Sequence, residues 1–118
     1  MRPLADQLVD TLEAQRALTT QRVLIAAPDF ADSDELRTEV ADAAGAEAAA
    51  IDRLARLTGT EQASALSKDS DIRRDTYTQP SSDSVHAPAF TEAMRASVDQ
   101  YRAMTQRLSA DLDGTLHH

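Results

Sequence analysis

Apolar residues recur along three stretches of this chain at steps of three and four, the spacing of one face of an α-helix. In the first, Leu4, Leu8, Leu12, Val23 and Ala26 share one side, Asp6, Asp10 and Glu13 lie opposite, and Leu18 and Ile25 fall outside the stripe. Pro3 suits a first helical turn and Pro28 cannot continue a helix, so the first helix is predicted over about 3–27. Residues 28–33 read as a helix–helix connection. Asp32 or Ser33 supplies the N-cap oxygen of a second helix, about 34–58, which Gly59 stops. Its predicted buried face is Leu36, Val40, Ala43, Ala44, Ile51, Leu54 and Ala55. The middle of this helix is mostly Ala around Gly45. A glycine inside a helix costs about 1 kcal/mol relative to Ala, so Gly45 is expected where a neighbouring helix approaches closely.

A short helix is predicted over 61–67. Residues 68–84 are charged, rich in Ser and Thr and without apolar period, which reads as a polar connecting segment. Arg73, Arg74 and Tyr77 are its candidate contact residues. The last helix, 88–113, opens at Pro88, stops at Gly114 and carries Phe90, Met94, Val98, Tyr101, Thr105, Leu108 and Leu112 on one stripe. Together these elements predict an all-α fold: one domain over 1–118, an antiparallel bundle of three long helices plus one short helix.

Composition makes that core thin. Aromatics are 3% of the 118 residues, two Phe and two Tyr without Trp, and Ala supplies much of the apolar total. At ~25 cal/mol per Å² of buried apolar surface, such a bundle is marginal alone, which points to self-association or a protein partner. Leu18, Leu24 and Ile25 are the spare apolar positions, and Gly45, Phe90 and Met94 complete the candidate interface.

Charge and chemistry mainly exclude. Twelve basic residues against 20 acidic ones give a net charge of −8, which disfavours nucleic acid and anionic membranes, because both are bound through Lys and Arg. There is no Cys, so disulfides, thiol catalysis and Cys-ligated metals are ruled out. No apolar run reaches the ~18 residues of a membrane span and no signal-peptide pattern follows Met1, which predicts a cytoplasmic protein, signal-independent secretion aside. The three His are His86, His117 and His118, outside any Glu-x-x-His pattern, and the three Gly stand alone rather than in a phosphate-binding loop. No metal or cofactor is expected.

One local feature stands out. The midpoints of the long helices fall near Gln15, Glu47 and Tyr101, each on or beside an apolar stripe, which predicts a buried polar layer that sets helix register. The expected function is a non-enzymatic protein–protein interaction module, a subunit of a homo- or hetero-oligomeric assembly. The alternatives are an acidic inhibitor or adaptor that covers a basic protein surface, and a ligand-binding or enzymatic bundle that uses Glu47 and Tyr101.

Overall fold

A computed structural model of the chain describes residues 2–57, 60–78 and 84–116. These residues form four α-helices: α1 (Arg2–Ile25), α2 (Asp34–Leu57), α3 (Thr60–Thr78) and α4 (Pro88–Leu116), with 3-10 turns at Phe30–Asp32 and Ser84–His86. Among the described residues every regular element is helical, and none is long and apolar enough to cross a membrane. Helix α1 packs on α2 and α4, and α3 packs on the same two, giving a bundle-like body of 54 × 23 × 19 Å.

The helix starts follow local chemistry. Ser33 caps α2, its hydroxyl accepting the Leu36 N–H at 3.2 Å, while Asp34 and Glu35 in the first turn complement the helix dipole. Pro88 occupies the first turn of α4, where its missing N–H has no intrahelical partner to lose. The Gly59 stop and His117–His118 lie outside the described residues.

The main correction concerns the predicted polar segment 68–84. Helix α3 does not end at 67 but runs to Thr78, so the described residues form four long helices rather than three, and Arg73, Arg74 and Tyr77 are helical. Its inward positions are Ala63, Leu66, Ser70, Arg73 and Tyr77, a strict alternation of four- and three-residue steps. Two of the five are polar, so a count of apolar residues does not register the period. Its hydroxyls also turn inward to the helix: Thr76 donates to the Ile72 carbonyl and Thr78 to that of Asp75. Gly114, predicted to stop the last helix, lies inside α4.

The buried side of α1 is also rotated from the predicted one. Thr11, Ala14, Ala17, Leu18 and Gln21 are buried, whereas Leu12 is 46% and Val23 68% exposed and Ala26 is exposed. The helix has apolar residues on two sides, and the inner side is marked partly by polar groups that find partners. Thr11 donates to the Gln7 carbonyl at 2.6 Å. Asp10, expected in solvent, is 8% exposed and accepts from Arg53 Nε of α2 at 2.9 Å, and Arg53 also reaches Glu13.

Gly45 departs from expectation too. A Cβ built there meets nothing within 4 Å, so no neighbouring helix requires the glycine. Gly45→Ala is therefore expected to raise stability by about 0.5–1 kcal/mol, through the reduced freedom of the unfolded chain and better helix propensity. Urea unfolding measures this, and a lower midpoint would restore the close-approach explanation.

The core divides in two. One cluster joins Ala14, Leu18, Ala50, Ile51, Leu54, Leu66, Tyr101 and Met104. The other joins Phe30, Val40, Ala44, Tyr77, Val85 and Phe90, where Tyr77 stands edge-to-face between Phe30 and Phe90 at centroid distances of 6.5 and 5.7 Å. Three of the four aromatic residues are thus spent in one cluster. On each helix buried polar residues lie between the clusters: Gln21, Glu47, Ser70 and Arg73, and Ser97, which on α4 is joined by Ala93.

Candidate functional site

Glu47 is the centre of that layer and is fully buried. It follows Val40 and Ala44 and precedes Ala50, Ile51 and Leu54 on the inner side of α2, so helical periodicity alone carries it into the interior. Its Oε1 accepts from Gln21 Nε2 at 2.8 Å. Its Oε2 accepts from Arg73 Nη2 at 2.5 Å and from the Tyr101 hydroxyl at 2.6 Å. Arg73, also fully buried, donates through Nη1 to Ser97 Oγ at 2.8 Å and to the Ala93 carbonyl at 3.1 Å. Tyr77 donates to Gln21 Oε1 at 3.0 Å. At least one side chain from each of the four helices therefore meets the Glu47–Arg73 pair or is part of it, with α4 supplying both Ser97 and Tyr101.

An ion pair without water is tolerable only when its remaining donors and acceptors are filled, and here most are. Two polar atoms on the same side of α3, Ser70 Oγ and Arg73 Nε, are buried without a hydrogen-bond partner among the described residues. Burial, and then the negative charge of Glu47, hold the Tyr101 hydroxyl far above the ordinary tyrosine range near 10. Burial likewise lifts Tyr77, against an opposing pull from Arg73. Both phenols therefore remain protonated donors toward the acceptors they face. Asp69, one position before Ser70 and half-buried, is pushed up by burial and pulled down by Arg73.

Two of the three predicted layer residues meet here, Glu47 and Tyr101. Gln15 does not. It sits half-buried on the side of α1 turned to α4 and accepts from Thr105 Oγ1 at 3.2 Å, and Gln21, nearly two turns on, takes the expected role. Arg73 and Tyr77, expected to contact a partner from a loop, are instead buried members of the layer, and only Arg74 is exposed. Arg73 was missed because residues 68–84 read as a loop; the spacing Leu66–Ser70–Arg73–Tyr77 is the signal that would have found it. Of the candidate interface residues, Leu18 and Phe90 are buried in the core, while Leu24, Ile25 and Met94 are half-buried against the aromatic cluster. Ile25, Phe90 and Met94 line one surface groove, and Gly45 is not among its lining residues.

The side chains of Glu47, Arg73 and Ser97 are fully buried. Both Glu47 oxygens are engaged, and four surface grooves bounded by described residues are lined without Glu47, Arg73 or Tyr101. Among the described residues no group of three or more His, Asp or Glu converges as metal ligands do. No protein-family model, curated protein or solved structure matches the chain.

Proposed function

We propose that this chain is a non-enzymatic helical interaction module, a subunit of an assembly in which a second copy covers the outer side of α1. The observation that carries the reading is the second apolar side of that helix. Ala5, Val9, Leu12 and Val23 recur there at helical spacing, with Arg16 and Thr19 at the two positions between Leu12 and Val23, and all are exposed, Val9 at 53%. Isolated exposed apolar residues are ordinary; a stripe at alternating steps of three and four is the pattern of a helix seam.

The bundle itself is taken to be antiparallel. Contacts of Gln7 with Leu57, Asp10 with Arg53 and Gln21 with Glu47 favour opposite directions for α1 and α2. In this reading the Glu47–Arg73 layer sets the register of the four helices and takes no part in chemistry. The engagement of both Glu47 oxygens favours that role over a ligand-binding carboxylate.

Leu12→Glu combined with Val23→Glu tests the surface. Both positions are exposed, so the fold is expected to lose no more than about 0.5 kcal/mol at each. By light scattering the natural chain should show a mass above 12.8 kDa and the double variant 12.8 kDa. A variant that keeps the natural chain's larger mass would overturn the assignment.

A further inference from the structure

Ile25 at the end of α1, Val85, and Phe90, Met94 and Val98 of α4 form the floor of an open groove of about 430 Å³. Arg22, His86 and Arg95 line its edge. In a chain with 20 acidic residues against 12 Lys and Arg this lining is unusual, because it contains two arginines, one histidine and no acidic side chain. Three other grooves each include at least two carboxylates: Asp71 and Asp75; Glu13, Glu39 and Asp42; Asp34 and Asp42.

Two further observations give the groove a preference for negative charge. None of the ion pairs among the described residues uses Arg22, while Arg95 shares its charge with Glu92. The groove also lies against the start of α4, whose first turn carries no acidic residue to complement the positive end of the helix dipole. An apolar floor with a few polar groups at one edge, in a volume of several hundred Å³, is the usual make-up of a small-molecule site. Met94 adds an adaptable wall, since its unbranched thioether repacks around different shapes.

We infer that this groove binds a small amphiphilic carboxylate, its apolar chain lying on Ile25, Phe90 and Met94 and its acid group facing Arg22 and Arg95. The groove meets the outer stripe of α1 only at its end, where Ala26 follows Val23 by three residues, and the inference does not depend on self-association.

Titration of the ¹⁵N-labelled chain with decanoate, and in parallel with decanol, tests the assignment by amide shifts. Decanoate should give saturable shifts centred on Ile25, Val85, Phe90 and Met94. Decanol should bind about tenfold more weakly, and Arg22→Gln with Arg95→Gln should weaken decanoate by a similar factor, the size expected for loss of a charge-assisted contact. Both arginines are exposed, so the variant is expected to fold, which its amide spectrum verifies directly. Shifts that do not saturate or centre elsewhere, decanol binding as tightly as decanoate, or unchanged affinity in the folded variant would each overturn it.

Discussion

Glu47→Leu is expected to destabilise the fold by about 3–5 kcal/mol, and Arg73→Met by a similar amount, because each leaves the other charge buried without a counter-ion. That is a large share of the about 5–15 kcal/mol that holds a typical domain together, so either variant should be close to unfolded at moderate temperature. The double variant is the informative one. Burying a carboxylate and a guanidinium removes both from water, and an apolar pair of similar volume avoids that cost. Glu47→Leu with Arg73→Met should therefore recover most of the loss, leaving the Tyr101 hydroxyl, Gln21 and Ser97 short of a partner as the remaining penalty. Urea unfolding of the four proteins yields the coupling energy. A double variant that loses the sum of the two single effects would show that the charges are not coupled.

The second large effect distinguishes the two apolar sides of α1. Leu18 is 1% exposed and packs with Ala14, Ile51, Leu54 and Leu66, so Leu18→Ala should cost about 2–5 kcal/mol through lost burial and the cavity left behind. Leu12, on the outer side, should cost no more than about 0.5 kcal/mol when changed to Ala. Thermal unfolding of both, at a concentration low enough to keep the chain monomeric, checks the orientation of the helix. The opposite order would place the predicted Leu4–Leu8–Leu12 stripe inside.

The contrast between these two leucines also explains what was legible in the residues. Helices α2 and α4 follow much of their apolar period: Val40, Ala44, Ile51 and Leu54, and Phe90, Tyr101 and Leu108, are buried as expected, while Leu36 and Ala43 are half-buried and Ala55, also predicted inside, is exposed. Proline and the Ser33 cap place the helix starts to within a residue or two. Helix α1 was ambiguous because its inner side uses Thr11, which bonds back to its own helix, and Asp10 and Gln21, whose partners include residues of other helices, while leucine and valine also occupy its outer side. Helix α3 was hidden for the same reason in a stronger form. Ser70 and Arg73 look like solvated residues until Glu47, Ser97 and the Ala93 carbonyl are brought beside them.

The buried layer was half legible. Glu47 in the middle of an apolar stripe requires donors wherever it is buried, and Tyr101 opposite it is an obvious one. The identity of the cation was not available from periodicity, because it depends on which side α3 presents to α2 and α4. Thin composition has a corresponding outcome. With three aromatics concentrated around Tyr77, the remainder of the core rests on aliphatic and Ala contacts and on one polar layer, and an apolar stripe of α1 is left over.

Sedimentation equilibrium of the natural chain over a wide concentration range, at low and at high salt, tests the central claim most directly. A subunit that associates through the apolar side of α1 should rise from 12.8 kDa toward about twice that value with concentration, and should do so equally at both salt levels, since screening acts on exposed charges and not on apolar burial. A constant 12.8 kDa at every concentration and salt level would contradict it.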